Sequence, residues 1–180
     1  MEFPKAVYFH EDDYCQIEIL PLSLWTYCVD EMKKIEEFSD AHKLDLGWSD
    51  IYIREELPES LAEFSISLEA FKKGVEETLT PYRQVSTGYS SHVEECRNCF
   101  AWGLADREFT IFADIDSENS INNIWLEIGC LTDANLPPVL DVFNNLPRSN
   151  DLMIADWRWS KAAQIADKNR LRSYLALHRC

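Results

Sequence analysis

The chain has 180 residues, 46% of them hydrophobic, with 9 Phe, 7 Tyr and 6 Trp, which is enough apolar surface for a packed core and excludes disorder. Its formal charge of −15 excludes non-specific nucleic-acid binding, because phosphates are repelled, and favours a basic partner. No stretch approaches the roughly 18 apolar residues of a membrane helix, and Met1-Glu2-Phe3-Pro4-Lys5 lacks the basic segment and apolar run of a signal peptide.

A cytoplasmic chain is therefore expected, folded as one domain over 1–180, with 131–180 as a candidate C-terminal α/β subdomain. The charge is uneven. Residues 1–79 carry 19 acids against 7 bases, residues 80–147 carry 10 against 3, and residues 148–180 reverse the balance with 3 against 7. The basic tail is expected to dock on the acidic remainder. Six cysteines in a chain that is neither small nor secreted predict free, mostly buried thiols rather than a disulfide framework.

In chain order, residues 5–10 and 15–20 read as two strands. The second alternates, with Cys15, Ile17 and Ile19 on one face and Gln16 and Glu18 on the other. The short acidic turn between them predicts an antiparallel hairpin. Pro21 and Ser23 open a helix whose stripe is Trp25, Cys28, Met32, Ile35, Phe38 and His42, with Asp30, Glu31, Lys33 and Lys34 on the opposite face. Gly47 breaks it, residues 50–54 read as a short strand, and the acidic stretch from Glu55 to Glu59 is placed on the surface. Ser67 caps a second helix with Glu69 in its first turn and Leu68, Phe71, Val75 and Leu79 inward; Gly74 inside it costs about 1 kcal/mol against Ala.

Four strands follow, near 83–89, 96–104, 108–115 and 121–129, with short polar connections that predict an antiparallel meander. Asn135 is expected to cap a helix with Pro137 and Pro138 in its first turn, where a missing N–H is harmless, and Val139, Val142, Phe143 and Leu146 inward. Residues 152–157 form a buried strand, and Asp167 caps a terminal helix carrying Leu171, Tyr174, Leu175 and His178. Helices and strands alternate without βαβ regularity. The expected class is α+β: a largely antiparallel sheet, N-terminal hairpin plus later meander, packed by about four helices.

Candidate chemistry is sparse. Cys96-Arg97-Asn98-Cys99 has zinc-knuckle or redox spacing, but His92 is the one nearby further ligand and no second CxxC exists. Asp114 to Glu118 alternates carboxylates without the glycine and downstream Glu of a calcium loop. His10 beside Glu11, Asp12 and Asp13 supplies the elements of an acid/base pair, although a histidine above an acidic turn more often makes surface hydrogen bonds. There is no phosphate-binding loop, dinucleotide fingerprint or serine elbow, and 5 glycines in all. No cofactor, metal, membrane or nucleic acid is called for. Acids beside aromatics instead suit a protein interface, where rings supply contact area and carboxylates pair with Lys or Arg. The candidates are Glu11, Asp12, Asp13 and Tyr14 at one turn, and Tyr52, Glu55, Glu56, Glu59 and Glu63 around Pro58.

Two stretches carry a resemblance. One is Val7-Tyr8-Phe9-His10-Glu11-Asp12-Asp13-Tyr14-Cys15-Gln16-Ile17-Glu18-Ile19-Leu20-Pro21, followed by Cys28 and Glu31-Met32. The other is Asp151-Leu152-Met153-Ile154-Ala155-Asp156-Trp157-Arg158-Trp159. With the Ser67–Leu79 helix and Gly88-Tyr89-Ser90 between them, the chain resembles bacterial immunity proteins that neutralise secreted polymorphic or contact-dependent growth-inhibition toxins. The resemblance implies a non-catalytic cytoplasmic protein that binds one cognate toxin, often a nuclease, and blocks it without cofactor or turnover. Two alternatives compete: a small enzyme or metal protein using Cys96, Cys99 and His92 or His10, and an acidic inhibitor that mimics nucleic acid.

Overall fold

The computed structural model describes residues 5–54, 56–89 and 92–180. Its elements are β1 (Ala6–His10), β2 (Ile17–Pro21), α1 (Trp25–Ala41), β3 (Lys43–Leu44), β4 (Gly47–Trp48), α2 (Leu68–Val75), β5 (Thr80–Pro81), β6 (Gln84–Tyr89), β7 (His92–Glu95), β8 (Cys99–Gly103), β9 (Phe109–Ile115), β10 (Ile121–Ile128), α3 (Leu136–Asn145), β11 (Leu152–Asp156), β12 (Lys161–Gln164) and α4 (Lys168–Leu175). The fold is α+β and mostly antiparallel. A seven-stranded sheet runs β12-β11-β2-β10-β9-β8-β5, a three-stranded sheet runs β1-β6-β7, and β3 and β4 form a small hairpin.

Both faces of the large sheet are covered. On one face, Ile17, Ile19, Ile111, Ile124, Leu126 and Ile154 meet Phe71 and Val75 of α2, Val142 and Phe143 of α3, and Leu171 and Leu175 of α4. Each such side chain stabilises the packing by roughly 1.5–3 kcal/mol. On the other face, Cys28 and Met32 of α1 lie against Leu20, Met153 and Ala155, while the small sheet sets Phe9 and Val85 on Ala101, Phe112 and Trp125. Alternation along β9 and β10 therefore marks two apolar environments rather than core and water. The α2 register depends on Gly74, where a Cβ would run into the Asn145 carbonyl oxygen of α3; the glycine expected to weaken the helix is what lets the two helices touch.

The N-terminal hairpin is not formed. β1 pairs in parallel with β6, Val7 opposite Val85, and β2 lies in the large sheet between β11 and β10. A 3-10 turn over Glu11–Asp13 and a left-handed Cys15 (φ 54°) carry the chain from one sheet to the other, so Cys15 lies outside the strand predicted for it. Phe9 is the reason for the placement: its ring packs edge-on to Phe112 and Trp125, at centroid distances of 5.4 and 5.2 Å, which seats β1 over the large sheet instead of beside it. The meander is present over β8-β9-β10, while the first of its four predicted strands, β6, belongs to the small sheet. Residues 50–54, read as a strand, lie outside all three sheets.

The basic C-terminal segment enters the large sheet through β11, which pairs with β2 over five positions, and through β12 at the edge. Its ion pairs are mostly internal (Arg148–Asp151, Arg158–Asp156, Arg170–Asp167), with Arg179–Asp133 reaching outside it. Strand pairing and apolar burial, more than opposite charge, hold it in place. Beneath it Asp156, fully buried, accepts a 2.9 Å hydrogen bond from the Tyr174 hydroxyl. The expectation of free thiols is corrected for four cysteines: Cys96 is bonded to Cys99 and Cys130 to Cys180, each with Cα atoms 5.4 Å apart, while Cys15 and Cys28 are free. The fold brings the last residue beside Cys130 because Leu131 and Arg179 form a parallel bridge, a closeness invisible at a separation of 50 residues.

Candidate functional site

β2 and β10 share one ladder pair, Glu18 opposite Trp125, against five between β2 and β11. β2 and β10 are neighbours whose ladder is confined to that single pair. On its α1 side lies Glu18, only 3% exposed. Its Oε1 accepts from Arg54 Nη2 and from Trp157 Nε1, both at 2.8 Å, and the Arg54 guanidinium lies 4.1 Å from the centre of the Trp157 ring. Burial pushes the Glu18 carboxyl upward; the Arg54 charge and the two hydrogen bonds pull it back. Arg54 Nη1 is also buried and makes no hydrogen bond among the described residues.

Beside this pair opens a cleft of about 520 Å³, bordered by Tyr14, Cys15, Glu18, Arg54, Glu56 and Glu59. A smaller groove of about 220 Å³ shares Tyr14, Cys15 and Arg54 and adds Tyr52 and Trp157. Tyr14 is held from three sides. Its hydroxyl donates to Asp114 Oδ2 at 2.8 Å and accepts from Asn123 Nδ2 at 3.1 Å, and its ring packs edge-on to Trp125 at 4.8 Å. Burial pushes both the Tyr14 phenol and the Cys15 thiol well above their ordinary ranges, so both are protonated at neutral pH and Cys15 is a poor nucleophile. The lining holds three carboxylates and one guanidinium. With Glu18 paired to Arg54, Glu56 and Glu59 leave the lining acidic.

The sequence candidates fall into three groups. Tyr14, Glu56 and Glu59 line the cleft and Tyr52 the adjoining groove, so residues about forty or more positions apart converge. Tyr52 also donates to Glu31 Oε1 at 2.5 Å, and Ser23 Oγ donates to Glu59 at 2.5 Å. Glu11, Asp12 and Asp13 are exposed on the turn leading into Tyr14, where the His10 ring accepts from the Asp12 N–H at 3.2 Å. Glu63 points elsewhere, completing a capping box with Ser60 on the 3-10 turn Leu61–Phe64. Glu55 lies outside the described residues.

Glu18, Arg54 and Trp157 were not among the candidates. Alternation set Glu18 on the face opposite Ile17 and Ile19, and that face is covered by α1 and the residues after it. Glu31, assigned to the polar face of α1, is likewise buried, and its carboxyl is held below the ordinary range by hydrogen bonds from Tyr52 and Lys34. An acid within an otherwise apolar strand was the available signal. The alternative chemistries find less here: Cys96 and Cys99 are bonded to each other, Asp114 is engaged by Tyr14 and Asn123, and Asp116 caps its own turn through the Glu118 and Ser120 N–H groups. Among the described residues no group of three or more His, Cys, Asp or Glu side chains could hold a metal ion, and no helix is long and apolar enough to cross a membrane.

Comparison with protein-family models, with curated proteins and with solved structures returned no match for this chain.

Proposed function

We propose that this chain is a non-catalytic binding protein that captures and neutralises a basic protein partner, in the manner of the bacterial immunity proteins its sequence resembles. The observation that supports the reading most directly is the convergence of Tyr14, Tyr52, Glu56 and Glu59 around the cleft and groove beside Glu18 and Arg54. The cleft there is acidic at its mouth and rigid at its base, where Glu18, Arg54 and Trp157 hold one another. Such a surface meets a Lys- or Arg-bearing partner with complementary charge, which speeds encounter and selects among partners. The net charge of −15 acts in the same direction.

The test is co-expression with the product of the gene immediately upstream, a partner in the class of secreted toxins, followed by co-purification and a toxicity assay. A one-to-one complex and rescued growth are expected, with association slowing as salt rises. Absence of both complex and rescue would overturn the reading. Cytoplasmic residence belongs to the same proposal and requires that the Cys96–Cys99 and Cys130–Cys180 bonds of the structure be reduced in the cell; thiol trapping tests it, and a persistent Cys130–Cys180 disulfide in cells would place the chain in an oxidising compartment instead.

A further inference from the structure

The ten residues from Leu44 to Ile53 expose five large hydrophobic side chains. Leu46 is 96% exposed, Ile53 86%, Ile51 81% and Trp48 61%, with Leu44 beside them at more than half. Single exposed apolar residues are ordinary, but a run of this density on a protein of charge −15 is not. The run is also held firmly. The β3–β4 hairpin is closed by the Ser49 N–H to the His42 carbonyl at 2.9 Å and is tied to α1 by the Trp48 Nε1 hydrogen bond to Ser39 Oγ at 2.9 Å. After it the chain alternates: Tyr52 turns inward to Glu31 and Arg54 to Glu18, which leaves Ile51 and Ile53 facing out. Polar side chains anchor the segment and apolar ones face solvent, the reverse of what solubility alone favours. Contact groups held in place before binding lose little entropy on association.

The charge around the run names the chemistry of its occupant. Residues 40–59 hold the acids Asp40, Asp45, Asp50, Glu55, Glu56 and Glu59 against the bases Lys43 and Arg54, and Arg54 is already committed to Glu18. An apolar centre with an acidic rim fits an apolar patch with a basic rim, and like charge disfavours a second copy of this chain. We infer that the Leu44–Ile53 ridge is the energetic centre of the interface with a basic protein partner, while the Glu11–Asp13 turn contributes long-range attraction. This rests on the binding function proposed above and assigns its contact surface.

The experiment uses the full chain and the upstream gene product, with affinity measured by calorimetry at two salt concentrations. Leu46→Asp and Ile53→Asp, each with a Ser counterpart that removes apolar area without adding charge, change side chains that leave the core untouched, so circular dichroism and Tm should match the parent. Each single variant should weaken binding at least about tenfold and the pair more than about a hundredfold, as for central interface positions. Replacing Glu11, Asp12 and Asp13 together by Gln and Asn should cost less than about tenfold and mainly slow association. Ridge variants that bind like the parent would overturn the inference and leave the binding function standing. No complex with the parent chain would overturn both. A homodimer seen by sedimentation and abolished by Ile53→Asp would assign the ridge to self-association and overturn the inference.

Discussion

Removing Arg54 probes the buried pair on which the cleft is built. In Arg54→Met the methionine retains much of the stem's packing, while Glu18, 3% exposed, keeps the Trp157 hydrogen bond and loses its counter-charge. Stranding one member of a buried pair costs about 3–5 kcal/mol. Arg54 itself is 26% exposed, so water softens the loss, whereas the lost stacking on Trp157 adds back about 1 kcal/mol. The expected net destabilisation is about 3 kcal/mol at pH 8, or a fall in Tm of about 6–12 °C for a domain of this size. The pH dependence follows from the direction of the Glu18 shift. A carboxyl raised by burial imposes no penalty below its unfolded pKa of about 4.3 and its full penalty above its folded pKa, so the variant's deficit must shrink as pH falls. Urea unfolding followed by tryptophan fluorescence at pH 5 and pH 8 measures both. Glu18→Gln combined with Arg54→Met should recover most of the loss, since no charge is then stranded. A deficit below about 0.5 kcal/mol at pH 8, or one equally large at both pH values, would refute the claim that a stranded carboxylate is its cause.

Three further outcomes are expected. Burial, with repulsion from Asp13, lifts the Glu127 carboxyl to about 7 against an ordinary 4.5, so its penalty is absent below pH 4.5 and complete above 7; Glu127→Gln should be about 2 kcal/mol more stable than the parent at pH 8, with no gain at pH 4, read from paired urea titrations. Gly74→Ala should lose at least about 2 kcal/mol despite its better helix propensity, because the new methyl meets the Asn145 carbonyl; a gain in Tm would show that α2 and α3 are free to separate. Opening the Cys130–Cys180 link, which closes a 50-residue separation, should cost about 4 kcal/mol by loop entropy, measured as the stability difference between Cys180→Ser and its parent under non-reducing conditions.

Much of the framework is legible in the chain. The caps Ser67 and Asp167 accept the helix N–H bonds their positions imply, whereas Asn135 sits at the α3 N-cap without a side-chain cap bond, and the α2 and α3 stripes face the core as their spacing requires. The three-strand meander follows from alternation with short polar links. These features depend on hydrogen bonds and periodicities within a few residues, so the local sequence contains the needed information. The acidic bias and the pairing of aromatics with carboxylates are likewise properties of the sequence, and Tyr14, Tyr52, Glu56 and Glu59 could be selected on that basis.

Tertiary structure decided the rest. Whether β1 lies beside β2 or above it depends on Phe9 finding Phe112 and Trp125, more than a hundred residues away. Glu18 and Glu31 lie opposite the apolar faces of their strand and helix by local pattern and are buried in fact, because a strand or helix face becomes interior when another part of the chain covers it. Arg54 and Trp157 meet on one carboxylate oxygen though they are 103 positions apart. Residues 50–54, with the β-favouring Ile51, Tyr52 and Ile53 at their centre, pattern as a strand but lie outside every sheet. Periodicity reports which side chains share a face; the distant segment that folds onto that face determines whether the face becomes core, cleft or exposed ridge.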